Sequence, residues 1–453
     1  MSKKYELDMT RGNILWNITL FALPLIAGNL LQLLYNAADM IVVSRWAGSN
    51  AMASVGATSS LSGLIVTICT GLSIGANVVV SRSYGSGDDN AMHRAVHTSM
   101  LVGLVSGLCA MIVGVCLARP LLNLMGTPEG EVMEGAVLYM RLYFIGIPGT
   151  MIYNFGSAVL RSVGDTKRPL YILSASGIIN VLLNLLFVIK FHMGVSGVAT
   201  ATMIASYISA SVVVALLIRA EGSYKLIISA LRIHMDEFRF ILRIGLPSAM
   251  QSSMFGIANT LIQSTVNSFG AAAMAGCAAG ANIEGFVYTG MNAFHAATLT
   301  AVSQNYGAKN EKRIYKAIFS SVFSVTVVGF TLGLLSVIFA RPLLGIYITD
   351  SSEAIEYGIV RMIVTGLPYF LCGIQEVLTA ALRGMGYSGI AAVYSLIGVC
   401  GLRLLWVLFI LPLRRSIGML FLCWPISWLV VIAMFTTCII VLRKKAMARM
   451  YQL

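Results

Sequence analysis

Three carboxylates stand inside long apolar runs of this 453-residue chain: Asp39, Glu284 and Glu376. An ionisable group within a membrane segment costs about 2.5–3.5 kcal/mol on insertion scales, so it is expected to have either a partner or a task. Burial and neighbouring charges tune the affinity of such a group for a proton or a metal cation. The chemistry that these residues indicate is therefore ion exchange rather than bond making.

The first of these acids belongs to a polar stripe. Steps of three or four residues place the stripe on one face of a helix, and its members are Asn29, Gln32, Tyr35, Asn36 and Asp39. We expect this face to point into a helix bundle, with Asp39 exchanging a proton or sodium ion. The alternative is a structural acid satisfied by hydrogen bonds within its own bundle.

A second stripe combines a carboxylate, an aromatic ring, a thioether and an imidazole at helical spacing, in Glu284, Tyr288, Met291 and His295. This set suits a flat apolar cation through charge pairing, cation–π contact and soft packing. Ordinary helix packing around one satisfied glutamate is the alternative.

The third acid, Glu376, follows Gln375 in an apolar run, and Arg403 lies in the middle of the next run. Either Glu376 faces a cavity or it forms a structural ion pair with Arg403. The substrate cavity predicted from these patterns comprises Gln32, Asn36, Gln251, Glu284, Tyr288, Met291, His295, Gln375 and Glu376.

The elements that carry these residues are membrane-spanning helices. The chain is 58% apolar and 11% charged, with a mean hydropathy of +0.84, which lies outside the range of soluble domains. A bilayer core about 30 Å thick requires roughly 20 apolar residues per helix, and we predict an all-α polytopic protein with twelve transmembrane helices and no removable signal peptide. The predicted spans are 14–44, 51–80, 94–118, 135–160, 169–191, 194–218, 239–269, 274–304, 315–340, 357–382, 388–413 and 416–442.

The Lys and Arg residues responsible for the formal net charge of +13 alternate between basic and less basic loops along the chain. With a cytoplasmic N-terminus, about 22 Lys and Arg residues, Lys3, Lys4 and Arg383 among them, lie on the inner side and about six on the outer side. This bias predicts a multi-pass protein of the cell (inner) membrane with both termini cytoplasmic. A membrane topology accounts for the charge, so no nucleic-acid partner is expected, and no obligatory protein partner is evident.

The chain repeats itself. Ala118-Arg119-Pro120-Leu121-Leu122 recurs from Ala340 onwards at an offset of 222 residues, and three shorter matches share that offset. Each copy holds six predicted spans, so the copies are parallel and related by a pseudo-two-fold axis along the membrane normal. We predict an N-terminal six-helix lobe over 1–218, a cytoplasmic linker over 219–238 and a C-terminal six-helix lobe over 239–453, with the cavity at their interface.

Four motifs stand out: Leu34-Tyr35-Asn36-Ala37-Ala38-Asp39-Met40, Asn282-Ile283-Glu284-Gly285-Phe286, Gln304-Asn305-Tyr306-Gly307 and Leu382-Arg383-Gly384-Met385-Gly386. With the twelve spans and two six-helix lobes, they resemble the MATE (multidrug and toxic compound extrusion) family, and the stretch from Asn282 to Gly307 resembles its bacterial DinF-like branch. The resemblance implies an antiporter that exports organic, chiefly cationic amphiphilic compounds and drugs by alternating access. It implies a proton or sodium ion as the coupling ion and no enzymatic cofactor.

The resemblance also implies a coupling site in the N-terminal lobe, formed by Asp39, Tyr35, Asn180, Asn184 and Thr202. Asp39, Asn180 and Thr202 are its potential sodium ligands. One position departs from the family pattern, because Asn184 stands where relatives carry a second acid. Hard cations gain affinity from ligand charge, so this departure favours proton coupling. Bending is expected near Pro24 and Pro247 in the first and seventh spans.

Two other functions have partial support in the sequence. Gly71-Leu72-Ser73-Ile74-Gly75 matches the form of a hydrolase elbow, but that motif requires a strand–turn–helix context. Within a helical span, Gly71 and Gly75 are typical of a helix-packing face, so an enzyme is not expected. A flippase for lipid-linked cell-envelope precursors is the nearer alternative. Such flippases usually have a basic central cavity, whereas the spans of this chain contain three acids and only three arginines, Arg141, Arg361 and Arg403.

Overall fold

The computed structural model describes residues 5–42, 45–46, 49–349 and 351–452, and all regular structure in these residues is helical. Lys3 and Lys4 of the predicted basic N-terminus, and the last two residues of the predicted first span, lie outside the described residues. The helices of the first half are α1 (Ile14–Val42), α2 (Ser49–Ser86), α3 (Asp89–Leu124), α4 (Glu131–Ser162), α5 (Lys167–Leu185) and α6 (Gly194–Ile218). A π-helical turn, Leu186–Lys190, extends α5.

The second half has more interruptions. Its helices are α7 (Met235–Asn267), α8 (Ala271–Gly307), α9 (Glu311–Ile338), α10 (Ala340–Tyr347), α11 (Ser352–Arg361), α12 (Phe370–Gly384), α13 (Ser388–Ser395), α14 (Leu402–Leu405), α15 (Ile417–Phe421) and α16 (Cys423–Gln452). The interruptions are the π-helical turns Met362–Gly366, Leu396–Gly401 and Trp406–Ile410 and the 3₁₀ turns Leu367–Tyr369 and Leu411–Leu413. A further 3₁₀ turn, Ile228–Ala230, lies between α6 and α7.

Ten helical stretches in the described residues are long and apolar enough to cross a membrane. The two remaining predicted spans, 239–269 and 274–304, coincide with α7 and α8, which are 33 and 37 residues long. The mean hydropathy of these two helices is lower, because α7 begins with charged residues and α8 contains many small and polar side chains. The predicted all-helical polytopic fold is confirmed.

The contacts divide the chain into two compact units. Unit 1 contains the described residues up to Asp8 together with Ala27–Ala249, and unit 2 contains Met9–Ile26 together with Met250–Leu453. The chain therefore changes unit within α1 and within α7, a few residues after Pro24 and Pro247. The proposed lobe and linker boundaries at 218/219 and 238/239 remain a prediction.

Close backbone approach at glycine fixes α2 against the first part of α7 in unit 1. A Cβ at Gly71 would stand 2.5 Å from Ala249 Cα, and one at Gly75 would stand 2.2 Å from the carbonyl oxygen of Ile241. No side chain larger than hydrogen fits at either position. The two glycines thus form a helix-packing face, as the sequence indicated.

The N-terminal segment is anchored in both units. In unit 1, the Leu7 N–H donates to the Val163 carbonyl at 3.2 Å. In unit 2, the Met9 N–H donates to Gln304 Oε1 at 2.9 Å, and the Met9 carbonyl accepts from Arg313 Nε at 2.8 Å. Met9 is fully buried, so the segment is fixed on both sides of the point at which the chain changes unit.

Candidate functional site

Asp39 of unit 1 lies where α1, α5 and α6 bring polar side chains together. Asn184 Nδ2 donates to Asp39 Oδ1 at 2.5 Å. Asn180, one turn earlier on α5, lies within 3.4 Å of the Asn184 amide and 3.3 Å of Thr202 Oγ1. The structure therefore brings together four of the five residues predicted for the coupling site.

The amide of Asn180 satisfies both of its polar atoms in one orientation. In that orientation its nitrogen donates to Asp39 Oδ1 at 3.0 Å and its oxygen accepts from the Thr202 N–H at 3.3 Å. Amide oxygen and nitrogen are assigned from such networks. The Asp39 carboxylate then receives two neutral amide donors, and no salt bridge to Asp39 is found in the described part of the chain.

The same cluster offers oxygen ligands to a small cation. Asn184 is fully buried, and its Oδ1 has no hydrogen-bond partner. Asparagine, aspartate and threonine side chains carry the oxygen donors that hard cations take, but here the amide nitrogens, not the oxygens, of Asn180 and Asn184 face Asp39. The cluster contains one carboxylate, and the described residues contain no group of three or more His, Cys, Asp or Glu side chains able to hold a metal.

Tyr35 belongs to a different contact. Its hydroxyl donates to the Ser174 carbonyl at 3.1 Å, and its ring lies so close to Gly177 that a Cβ there would be 2.0 Å from the ring. Tyr35 therefore holds α1 against α5 rather than bonding to Asp39. Gln32 Nε2 and Asn36 Oδ1 lie 3.4 Å apart on the exposed face of α1.

Glu284 in unit 2 is neutralised. Arg361 approaches it through Nη2 at 2.8 Å and through Nε at 3.2 Å to both carboxylate oxygens. Thr365 donates a further hydrogen bond to Oε1, and the Glu284 and Arg361 side chains are 5% and 8% exposed. This geometry matches the alternative interpretation of the stripe, in which Glu284 is a structural residue whose charge is paired within the helix bundle.

Glu376 pairs with His295, not with Arg403. His295 Nδ1 lies 3.0 Å from Glu376 Oε2, whereas Arg403 donates to Ser427 and Asn259. The suggested Glu376–Arg403 ion pair is therefore wrong. The physical reason is the interrupted helix around Arg403, since π-helical turns on both sides of α14 shift the direction of its side chains relative to a regular helix.

Arg383 belongs to a buried polar network at the end of α12, and its predicted place on the inner side of the membrane stays a prediction. It lies in α12 and is 4% exposed. Its Nη2 donates to Gln251 Oε1 at 2.8 Å, Gln251 Nε2 donates to Ser395 Oγ at 2.8 Å, and its Nη1 lies 3.4 Å from His295 Nε2. Arg383 was missed because it follows an apolar run directly, and only three-dimensional packing shows that the helix remains buried there.

The remaining predicted cavity residues are packed to different degrees. Met291 is fully buried against Gly329 and Gly373, and Tyr288 Oη accepts from Asn292 Nδ2 at 3.1 Å. Gln375 is 2% exposed, and its Oε1 has no partner. A role for these side chains in binding substrate stays a prediction.

The serine of the GxSxG sequence lies inside a helix. Ser73 is buried in α2, and its hydroxyl donates to the Thr70 carbonyl at 2.8 Å. The strand–turn–helix context that exposes a hydrolase nucleophile is not found here.

Comparison with known proteins points to one family. The MatE family model matches residues 24–186 and 247–408, one match in each copy of the repeat. The chain is similar to the probable multidrug resistance proteins YpnP of Bacillus subtilis (27% identical; 87% of this chain and 88% of that protein) and NorM of Thermotoga maritima (26%; 84% and 82%).

Solved structures agree with the fold. An outward-facing multidrug resistance MATE family transporter of the MOP superfamily superposes with a TM-score of 0.89 at 19% identity, covering 99% of both chains. Members of the matched family are transporters and not enzymes, so the chain is a multi-pass membrane transporter.

Proposed function

The chain belongs to the MatE family, and we propose that it is a cation-coupled antiporter that exports organic, cationic amphiphilic compounds by alternating access. The observation that carries the proposal is Asp39, a carboxylate in α1 that receives amide hydrogen bonds and forms no salt bridge within the described residues. A structural acid in a membrane helix would be paired, as Glu284 is with Arg361. Asp39 therefore retains a charge that a transported ion can neutralise.

Proton is the coupling ion that the residues of the cluster favour over sodium. Asn184 and Asn180 direct amide N–H groups at the carboxylate, and a sodium ion would need their oxygens instead. Only one formal negative charge is present, and affinity for hard cations rises with ligand charge. Protonation of Asp39 requires neither asparagine amide to turn. The neutral carboxylic acid that results still accepts hydrogen bonds from these amides.

Coupling follows from linkage. If protonated and ionised Asp39 have different affinities for an organic cation, the cation must change the proton affinity of Asp39 by the same factor. Protonation from outside then weakens cargo binding, and cargo bound from inside displaces the proton.

The transporter lies in the cell (inner) membrane with both termini cytoplasmic, as the charge bias of the loops indicates. The resemblance of the α8 motifs to the DinF-like branch supports placing the chain in that branch.

The proposal is tested with tetramethylrhodamine methyl ester, a fluorescent lipophilic cation, in pump-deficient bacteria. Cells express the parent chain, Asp39→Asn, or Asp236→Asn, which neutralises an exposed aspartate in the first turn of α7. We expect low dye accumulation with the parent and Asp236→Asn and high accumulation with Asp39→Asn, because asparagine fixes the neutral form. Proteoliposomes with separately imposed pH and sodium gradients then identify the ion.

Accumulation as high with all three proteins, each verified in the membrane, as in cells that express none of them would contradict drug export. In that case the flippase for lipid-linked precursors becomes the better hypothesis. Drug export with the same rate in Asp39→Asn and the parent would make Asp39 structural.

A further inference from the structure

A second charged cluster lies in unit 2, on helices that the repeat relates to those of the Asp39 site. The offset of 222 residues relates α1 to α7, Asn180 to the residue before Arg403, and Thr202 to Trp424. Unit 2 has a polar cluster at these places, formed by Asn259 of α7, Arg403 of α14, and Trp424 and Ser427 of α16. Asp39 itself corresponds to Leu261 and Arg403 to Val181, so the two repeats carry charges of opposite sign on related helices rather than at equivalent positions.

Arg403 is a buried cation with weak compensation. It is 5% exposed, and its hydrogen bonds to Ser427 Oγ and Asn259 Oδ1 are both 3.4 Å long. Its guanidinium carbon lies 4.0 Å from the centroid of the Trp424 ring. No carboxylate pairs with Arg403 in the described ranges, whereas nearby Arg361 has Glu284. A buried charge without an ionic partner is costly, and a cation–π contact offsets only part of that cost.

Trp424 provides a second donor without an acceptor. Its indole Nε1 is buried and has no hydrogen-bond partner. Tryptophan N–H groups usually find a partner when they are buried. The guanidinium lacks a carboxylate, and the indole whose ring it contacts has an N–H without an acceptor, so this cluster has more donors than acceptors.

The local backbone supports a site rather than simple packing. Arg403 lies in the four-residue helix α14, with π-helical turns Leu396–Gly401 and Trp406–Ile410 on either side. Single π-helical turns inside helices occur frequently at functional sites. Asn259, the polar neighbour of Arg403 on α7, is exposed, so the cluster has an open side.

We propose that Arg403 and Trp424 form an anion-binding subsite that receives a carboxylate or phosphate group of the transported compound. The cargo is then amphoteric, with a cationic and an anionic group on one apolar body. The guanidinium supplies charge and paired N–H donors suited to an oxyanion, and the indole supplies one further N–H. This inference rests on the proposed transport function for its biological meaning, but binding to the subsite is measured without transport.

The test uses a dye pair that differs in one charge. Tetramethylrhodamine carries a free carboxylate, and its methyl ester has the same chromophore without that charge. Fluorescence anisotropy with the purified full-length protein in nanodiscs of neutral lipid gives a Kd for each dye. The proteins are the parent, Arg403→Gln, Arg403→Lys, Trp424→Phe and the control Arg415→Gln, which alters an exposed arginine that also contacts a serine and an aromatic ring.

We expect Arg403→Gln to weaken binding of the free acid about 10- to 100-fold, the range of a hydrogen-bonded charge, and to leave the ester unchanged. Trp424→Phe keeps the ring, loses the N–H, and should cost the acid about tenfold. Arg403→Lys should lie between parent and Arg403→Gln, and Arg415→Gln should match the parent. If Arg403→Gln does not fold, the lysine and phenylalanine variants still decide the question.

Three results would overturn the proposal. They are equal loss of both dyes in the Arg403 and Trp424 variants, no loss of either dye, and displacement by added phosphatidylglycerol without any preference for acid over ester. The last result would assign the subsite to lipid headgroups. A selective loss of acid binding with no dye export by the parent would support the subsite while contradicting the proposed function, so the two failures are distinguishable.

Discussion

Neutralising Glu284 should destabilise the protein strongly while leaving any coupling chemistry at Asp39 intact. Glu284→Gln preserves shape but leaves Arg361 buried without its carboxylate. In the structure that carboxylate accepts contacts from two guanidinium nitrogens and from the Thr365 hydroxyl. Breaking a pair of this kind by removing one partner costs about 3–5 kcal/mol, and we expect a loss of that size in the free energy of unfolding.

The assay is unfolding by SDS titration in mixed micelles, followed by tryptophan fluorescence. Glu134→Gln is the matched control, because Glu134 pairs with Arg119 at 2.5 Å with both side chains more than half exposed. An exposed pair contributes about 0–1 kcal/mol. The double variant Glu284→Gln with Arg361→Gln should recover part of the loss, since no uncompensated charge remains.

A loss below about 1 kcal/mol for Glu284→Gln, together with weaker binding of a cationic dye, would refute the structural interpretation of this pair. Glu284 would then be available to cargo, as the stripe of Glu284, Tyr288, Met291 and His295 predicted.

Two further predictions concern unit 1. Asn184→Asp adds a carboxylate at the position where Nδ2 now donates to Asp39. Dye export by proteoliposomes should therefore gain sodium dependence, with an apparent sodium affinity about tenfold higher. Unchanged sodium dependence would show that the residue at position 184 does not determine the coupling ion. Gly114→Ala places a Cβ 1.9 Å from the Phe144 ring and should lower the SDS-unfolding free energy by about 1–3 kcal/mol. The control is Gly63→Ala, where nothing lies within 4 Å of the new Cβ, and it should be neutral or stabilising by up to about 1 kcal/mol. Equal unfolding free energies for the two variants would contradict the packing argument.

The sequence predicted those features that depend on local periodicity. Apolar runs near 20 residues predict spans, and helical spacing placed Asp39 on a polar face. The clustering of Asp39 with Asn180, Asn184 and Thr202 required the family resemblance as well, because these residues are far apart in the chain. The packing role of Gly71 and Gly75 followed from chemistry alone, since two glycines in one helix face permit close approach.

Pairing between distant residues was not predictable in the same way. Glu284 and Arg361 are 77 residues apart, and one sequence contains no signal that selects Arg361 over Arg403 as the partner. Helical periodicity also fails at the π-helical turns around α14, where side-chain direction departs from a regular helix. The Glu376–Arg403 pair is wrong, and the buried network around Arg383 was not foreseen, because tertiary packing overrides local pattern at both places.

Related helices of the two repeats carry charges of opposite sign. Among the residues that the structure describes, Asp39 in the first repeat has amide partners and no cationic partner, and Arg403 in the second has hydroxyl, amide and π partners and no carboxylate. Glu284 and Glu376, in contrast, are paired within unit 2, with Arg361 and His295 respectively. Charges without an ionic partner, such as those of Asp39 and Arg403, are costly to keep for stability alone. Each is therefore best explained by a transient partner: a proton, sodium ion or cationic group for Asp39, and an anionic group for Arg403.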